Sequence, residues 1–476
     1  MILLTHSYHL HFDQKQLLLG KPYPPLGMLY ASAVLQQAGM EVACHDPMFS
    51  KTLAPFTTAL HQHQPNYMIV YDDGFNYLNK MCLSNMRDAS IRMAKEAKLL
   101  YKCITIIVSS DSSDRPLDYL QNGFDYVIAG EGEMALLQLI NTINGGGNGA
   151  ASPSVITMLN ETLVQNTKLK VMDQLDILPH PAWEQIDLVP YKKTWLKKHG
   201  YFSLNLSTTR GCPFKCNWCS KPIYGNRYHA HSVGYVIEEI RKLQSLGATH
   251  LWITDDIFGL KPGWVKLFAD TIKAEGIKIS YKIQSRVDLL LEETQIKHLS
   301  TSGCDEVWVG AESGSQRILD AMDKGTKVEQ IMEACSLMKL HGIRPCLFLQ
   351  FGYLGEQAED IKQTIEMVNY IKPYDIGVSV SYPLPGTEFY ESVKSQLVSK
   401  THWVDSDELV TLYQATYPTD CYKKLQRYVH GKFRWAQFKS NLRQGRLNHW
   451  RYLFTAPYHG LHSFLLKHQL KTYFRL

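Results

Sequence analysis

The chain has 476 residues, 45% hydrophobic and 20% charged, with a formal net charge of +5. That composition excludes a disordered, fibrous or disulfide-framework class and leaves an ordinary globular protein of about two to four domains. No apolar run of about 18 residues occurs, which excludes a membrane-spanning helix, and the apolar start Met1 to Thr5 has no basic segment ahead of it, the pattern of a first strand and not of a secretory signal.

Residues 1–145 alternate strand-like and helix-like segments, as in a parallel sheet covered on both faces. Strands are predicted at Ile2 to Thr5, Glu41 to Cys44, Tyr67 to Tyr71, Ile104 to Val108 and Tyr126 to Ala129. Between the first two, Pro24 to Gly39 reads as a helix opened near proline and closed by glycine. The order fits a doubly wound, flavodoxin-like (Rossmann-type) domain, which binds ligands beyond the carboxyl ends of its strands. Asp72-Asp73-Gly74, Ser109 to Asp114 and Gly130 to Glu133 would fall on that rim. Gly145 to Pro153 is a flexible break by composition and opens a linker over 146–200. The linker holds a hairpin candidate, Val155 to Val164, and a strap from Leu175 to Trp183 that its prolines hold extended.

Over residues 201–395 strand and helix signals alternate again. Strands are predicted at Phe202 to Thr208, His250 to Thr254, Lys278 to Gln284, Glu306 to Gly310, Pro345 to Phe351 and Asp375 to Ser381. Helical spacing joins Val236, Ile237, Ile240, Leu243 and Leu246 before Gly247, and Val328, Ile331, Met332, Cys335 and Met338 before Gly342. Six such units make a partial barrel, whose functional residues belong at the strand C-termini. After the first strand stand Cys212, Cys216 and Cys219, spaced C-x3-C-x2-C. Soft thiolates select zinc or an iron–sulfur cluster. Structural zinc needs four closed ligands, and the nearest fourth candidates, His229 and His231, fall on a spacing unlike the usual paired arrangements. A disulfide is disfavoured for ten cysteines scattered through a chain without a secretory signal.

The loop Thr209 to Cys219, with Trp218 beside the last cysteine, resembles the radical SAM enzymes. The resemblance implies a [4Fe-4S] cluster on three cysteines, S-adenosylmethionine chelated by its fourth iron, an electron donor such as flavodoxin or ferredoxin, and a 5′-deoxyadenosyl radical that takes hydrogen from an unactivated carbon. The protein's part is position and dryness. The same resemblance runs along the barrel. Asp255 follows the second strand, Ser285-Arg286-Val-Asp288 the third, Gly310-Ala-Glu312-Ser313-Gly314 the fourth, Gly352-Tyr-Leu-Gly355-Glu356 the fifth and Pro383 to Thr387 the sixth. By carry-over Arg286, Glu312, Ser313, Asp255 and Gly352 would bind S-adenosylmethionine, with Arg286 toward its carboxylate. His229-Ala-His231-Ser232 stands where the family commonly has Arg-x-Arg-Ser. The first domain looks like the cobalamin-binding domain ahead of many radical SAM domains, through Pro24 to Gly39 and Phe124 to Glu133. That likeness implies cobalamin near Ser109, Ser110, Gly130, Glu131 and Gly132. The Asp-x-His-x-x-Gly sequence is absent, and serines replace a glycine-rich loop after the fourth strand. The remaining cysteines, Cys44, Cys82, Cys103, Cys304, Cys335, Cys346 and Cys421, are not at ligand spacing, which argues against the methylthiotransferase branch.

Residues 396–476 form a helical, basic, aromatic-rich tail. From Cys421 onward stand 12 Lys plus Arg and no Asp or Glu, against 38 basic and 45 acidic residues before it. Tyr428, Phe433, Trp435, Phe438, Trp450, Tyr452 and Phe454 interleave the charges. Leu466, Leu470, Tyr473 and Phe474 fall on one helical face beside Lys467, Lys471 and Arg475. That pairing suits a membrane interface or a lipid-like or anionic substrate, nucleic acid, or plain packing on the barrel. The sequence thus predicts an α/β enzyme, a cobalamin-dependent radical SAM protein that methylates, cyclises or rearranges a small molecule. It would be cytoplasmic or peripheral at the inner membrane surface. A radical SAM enzyme with a degenerate first domain and a cobalamin sensor with a structural cluster are the alternatives.

Overall fold

The computed structural model describes residues 1–476 except 73–82, 168–170, 222, 398–399, 401, 444–450 and 475–476, and except the side chains of 451–456. Asp73, Gly74, Cys82, Trp450 and Arg475, and the side chains of Tyr452 and Phe454, lie outside the described residues.

Five strands, β1 (Ile2–Thr5), β2 (Val42–His45), β3 (Tyr67–Tyr71), β4 (Ile104–Val108) and β5 (Tyr126–Ile128), pair in parallel in the order β2-β1-β3-β4-β5. Their apolar runs serve both faces. Leu3, Met68, Val70, Ile107 and Val127 enter one buried cluster, and their neighbours Leu4, Ile69, Ile106, Val108 and Ile128 enter the other, as the two-residue period of a strand requires. The helix Leu26–Gln37 is buried from Leu26 to Leu35, because it lies between this sheet and the barrel.

The hairpin expected within the linker extends the first sheet instead. Its strands β6 (Val155–Leu159) and β7 (Thr162–Gln165) continue β5 in antiparallel sense and complete seven strands. Asn160 and Glu161 form its turn with φ of 47° and 63°, the conformation that matches the twist of a two-residue hairpin. The proline strap is bracketed by short turns at Leu175–Ile177 and Trp183–Gln185. Its Trp183 indole donates to Glu239 at 2.6 Å, and Trp195 donates to the carbonyl of Pro22 at 2.8 Å, so the linker is sewn to both units.

The second sheet has six parallel strands in chain order: β8 (Ser203–Leu206), β11 (His250–Ile253), β12 (Ser280–Ser285), β13 (Cys304–Glu312), β14 (Arg344–Phe351) and β15 (Asp375–Val380). A small antiparallel pair, β9 (Thr209–Arg210) and β10 (His229–Ala230), stands apart from it. This is the expected half-barrel. Tyr281, Ile283, Val307, Val309, Leu347 and Leu349 are buried in the core beneath the helices, while Lys282, Gln284 and Trp308 alternate with them and are only half-buried.

The tail folds into two long helices, Thr419–Arg443 and Arg451–Leu470, packed on each other. Cys421, Tyr422, Leu425, Tyr428 and Val429 belong to the main core, as do Leu466, Leu470 and Phe474. Of the readings the sequence left open for that face, packing on the barrel holds for Leu466, Leu470 and Phe474, because these residues close over it. For the same reason a chain cut at Thr419 would uncover the barrel core. Leu425→Ala is expected to lower stability by about 2–5 kcal/mol, measured by urea unfolding. A loss below about 0.5 kcal/mol, the level of surface changes, would show that the helix is a dispensable appendage.

Candidate functional site

The three cysteines follow β9 on a loop at the C-terminal mouth of the half-barrel and are partly buried, without disulfides. Four contacts place that loop. Upstream of it, Asp255, at the end of β11, accepts the amides of Thr208 and Thr209 at 2.7 and 2.9 Å, and the Thr208 hydroxyl. Burial pushes its carboxyl up to about 6 against these hydrogen bonds. Arg210 is 1% exposed and pairs with Glu131 and, at 2.7 Å, with Glu133 on the rim of the first sheet. Gly211 turns with φ of 81°, where a Cβ would stand 2.4 Å from the carbonyl oxygen of Arg227, so no side chain fits there.

Asn217 is the fourth anchor. Its side chain donates to the carbonyl of Ala321 at 2.7 Å and accepts from the Tyr353 hydroxyl at 2.8 Å. Its amide reaches Met322, and its carbonyl accepts from Phe389. One residue between two cysteines thus ties the loop, by its side chain to the segments after β13 and β14 and by its backbone to the segment after β15.

Two cations stand beside the thiols. Arg286 donates to the sulfur of Cys216 at 3.9 Å, lies 3.7 Å over the ring of Phe214, and is oriented by Asp288 at 3.0 Å and the carbonyl of Lys324 at 3.1 Å. Lys324 pairs with Glu312 at 2.7 Å, both largely buried, and its ammonium lies 5.7 Å from the ring centre of Trp218. Glu312 takes φ of 56° to make this contact, and Gly310 leaves the space, since a Cβ there would sit 2.5 Å from the Glu312 carboxylate.

The other predicted site residues lie behind the surface. Ser313 is fully buried, with its hydroxyl 3.1 Å from that of Thr364. The Gly352 amide donates to Glu356 at 2.7 Å, and a Cβ on Gly352 would lie 3.2 Å from the Tyr422 ring. His231 is buried and held by Asp176 at 2.9 Å, while Nε2 of His229 is buried without a partner among the described residues. Asn217, Lys324 and Tyr353 were not singled out by the sequence. Asn217 stood between two cysteines, the one local signal that could have drawn attention to it.

On the first rim, the serines read as a loop form a short helix, Ser110–Asp114, capped by the Ser109 hydroxyl, which accepts from the amide of Ser112 at 2.9 Å. Asp111 of that helix is held by Arg87 at 2.7 Å, by Tyr119 at 2.7 Å and by His402 at 3.1 Å. Those contacts fasten the rim to the segment that follows the barrel. Glu131 is taken by Arg210 and by the amide of Met172. Gly132 sits where a Cβ would stand 2.5 Å from Val108. A narrow cleft lies between this helix and the segment after β15, lined by Asp111, Arg115, Tyr382, Pro385, Tyr390 and His402. Two buried polar atoms at the rim, Ser110 Oγ and His9 Nε2, have no partner among the described residues. Burial takes the His9 imidazole down to about 4, so it stands neutral beyond β1, at the point where the strand order reverses. Such a crevice is where doubly wound sheets take ligands.

Residues 206–368 match the family model of the radical SAM superfamily. An uncharacterized methyltransferase of Pyrococcus horikoshii is 29% identical over 59% of this chain, and the chain spans 60% of that protein's length. The hopanoid C-3 methylase of Methylococcus capsulatus is 26% identical over 83% of this chain and 72% of its own. The fold is that of OxsB, a cobalamin-dependent S-adenosylmethionine radical enzyme solved with aqua-cobalamin and S-adenosylmethionine, at a TM-score of 0.74 and 16% identity over 98% of this chain and 72% of that one.

Glu356, which fixes the turn after β14, is buried, and burial pushes its carboxyl up to about 8. The unfolded chain releases that proton in the ordinary carboxylate range while the folded chain keeps it. Its contribution to stability is therefore whole below the unfolded pKa and falls as pH rises toward 8. Glu356→Gln is expected to flatten that decline in urea midpoints between about pH 5 and 8; an unchanged slope would place the titrating group elsewhere.

Proposed function

We propose that this chain, a member of the radical SAM superfamily, holds a [4Fe-4S] cluster on Cys212, Cys216 and Cys219, binds S-adenosylmethionine beside it and cobalamin at the rim of the first sheet, and methylates an unactivated carbon of a small molecule. The observation that carries this reading is the thiol loop at the mouth of the half-barrel, tied through Arg210 to the rim of a flavodoxin-like domain. The donor set suits the cluster, because three soft thiols share one loop and among the described residues no closed fourth ligand accompanies them. The unpartnered Ser110 and His9 atoms suit a polar ligand at the rim.

When bound, the cluster and S-adenosylmethionine supply a carbon-centred radical and cobalamin a transferable methyl group. The chain's own residues hold and shield. Arg286 is the fork for a carboxylate, and Glu312, oriented by its pair with Lys324, is the acceptor for an amino group. Asp255, Ser313 and Gly352 position the loops on which these groups ride. Phe214 and Trp218 keep water from the thiols, and the apolar surroundings of a cluster tune its potential. The likeness to a hopanoid methylase supports a lipid-like substrate and a peripheral membrane contact through the tail. An electron donor such as a flavodoxin or ferredoxin completes the proposal.

Replacing Cys212, Cys216 and Cys219 together with alanine is expected to abolish bound iron and the formation of 5′-deoxyadenosine in anaerobically reconstituted protein. Iron content equal to that of the unaltered chain would overturn the cluster assignment. Anaerobic purification with methylcobalamin is expected to give a protein carrying the corrin absorption bands. Binding of S-adenosylmethionine without any uptake of methylcobalamin would make the first domain a packing unit and remove the methyl-transfer reading.

A further inference from the structure

The last helix, Arg451–Leu470, has two unlike faces. One is interior: Leu466 and Leu470 are in the core, and Gly460 lies against Trp435 so closely that a Cβ would be 3.0 Å from the indole. On the opposite side Tyr458, Leu461, Phe464 and Leu465 are 62%, 64%, 70% and 51% exposed. Their three- and four-residue steps put them in one row, and four large apolar side chains in a row mark an interaction surface, unlike single exposed residues. Lys467 and Lys471 border the row, and the segment from Cys421 onward carries no Asp or Glu. Among the described residues from Thr419 onward the ion pairs are Lys424 with Asp420 and Arg434 with Asp375, which leaves the charge beside the row uncompensated.

We propose that this row docks on an anionic lipid bilayer, with Tyr458, Leu461, Phe464 and Leu465 entering the headgroup region and Lys467 and Lys471 meeting the headgroup charge. An amphipathic helix binds a bilayer plane through buried apolar area plus attraction to anionic lipid, and aromatic side chains settle at headgroup depth. A second copy of the chain fits less well, because a two-fold contact sets the same patch against itself and would oppose two cationic surfaces. Nucleic acid would use the lysines and leave the apolar row in water. The proposal rests on the peripheral contact suggested above, narrows it to one helix face, and needs nothing of the cofactor chemistry.

The full chain is tested by flotation with vesicles of phosphatidylglycerol and phosphatidylcholine, and with vesicles of phosphatidylcholine alone. Binding is expected to the anionic vesicles and to weaken as salt is raised above about 0.15 M, since the charge attraction is screened within about 8 Å there. Leu461→Glu with Phe464→Glu is expected to lower binding by about tenfold or more while circular dichroism, melting and 5′-deoxyadenosine formation stay unchanged. Lys467→Glu with Lys471→Glu is expected to remove the preference for anionic vesicles. Absence of binding at low salt, equal binding by the Leu461 and Phe464 variant, or a dimer in solution that this variant dissociates would each overturn the proposal. Loss of 5′-deoxyadenosine formation in the unaltered chain with vesicle binding intact would fault the cluster reading and support the docking face.

Discussion

Arg210 lies two residues before Cys212, 1% exposed, between the carboxylates of Glu131 and Glu133 and near the rings of Tyr30 and Tyr224, whose centres are 5.4 and 5.3 Å from its guanidinium carbon. Removing an ion from water costs several kcal/mol, and only good pairing offsets it. The guanidinium therefore cannot leave its two acids without stranding three buried charges, and the acids belong to the other domain. Each domain is held at the distance and angle that this pairing allows. The thiol loop begins from that fixed point, which is why its position is set by the first domain as much as by the barrel that carries it.

A second buried pair shapes the interior of the mouth. Glu312 takes a positive φ, a conformation that costs a side-chain-bearing residue about 1–3 kcal/mol, and it does so at the end of a long central strand. The strain turns its carboxylate onto Lys324, whose carbonyl in turn accepts from Arg286. Three charged groups, just after β12, at the end of β13 and in the segment that follows β13, thus share one network next to Cys216. Gly310 is glycine because the pair occupies the place of its side chain. The local backbone cost and the missing side chain have one cause, the approach of two opposite buried charges beside the thiol loop.

Much of this was legible in the sequence. Runs such as Tyr67 to Tyr71 and Ile104 to Val108 are apolar on both faces, and only a sheet buried on both sides asks for that. The half-barrel was legible for the same reason, and the glycines of Gly310 to Gly314 and Gly352 to Gly355 marked its loops. What a strand period cannot carry is the identity of a partner a hundred residues away. The hairpin at 155–165 alternates like any hairpin, and nothing local says that β5 is its neighbour. Asn217 and Lys324 are ordinary polar residues until Ala321, Tyr353 and Glu312 are brought beside them. The serines at 109–112 read as a loop by composition, yet Ser109 serves as a cap and Asp111 finds Arg87 and His402. Capping and long-range pairing override composition there.

The tail shows the same limit and also what it leads to. Strand β15 lies at the edge of the second sheet, and an open edge invites pairing with other chains unless it is covered. The helix Thr419–Arg443 packs along it, with Arg434 on Asp375 at 2.9 Å and Gln437 donating to the carbonyl of Tyr374 at 3.0 Å. Tyr422 of this helix also rests on Gly352, at the turn that Glu356 fixes. Covering the edge and supporting the site are thus one structural task, and it consumes the inner faces of both tail helices. Leu466, Leu470 and Phe474 satisfy the helical period by facing inward, so the same period places Tyr458, Leu461 and Leu465 outward. An apolar residue on that outer row gains nothing from closing the barrel. Its side chain stays exposed beside a surface whose sign is set by the excess of basic over acidic residues in the tail.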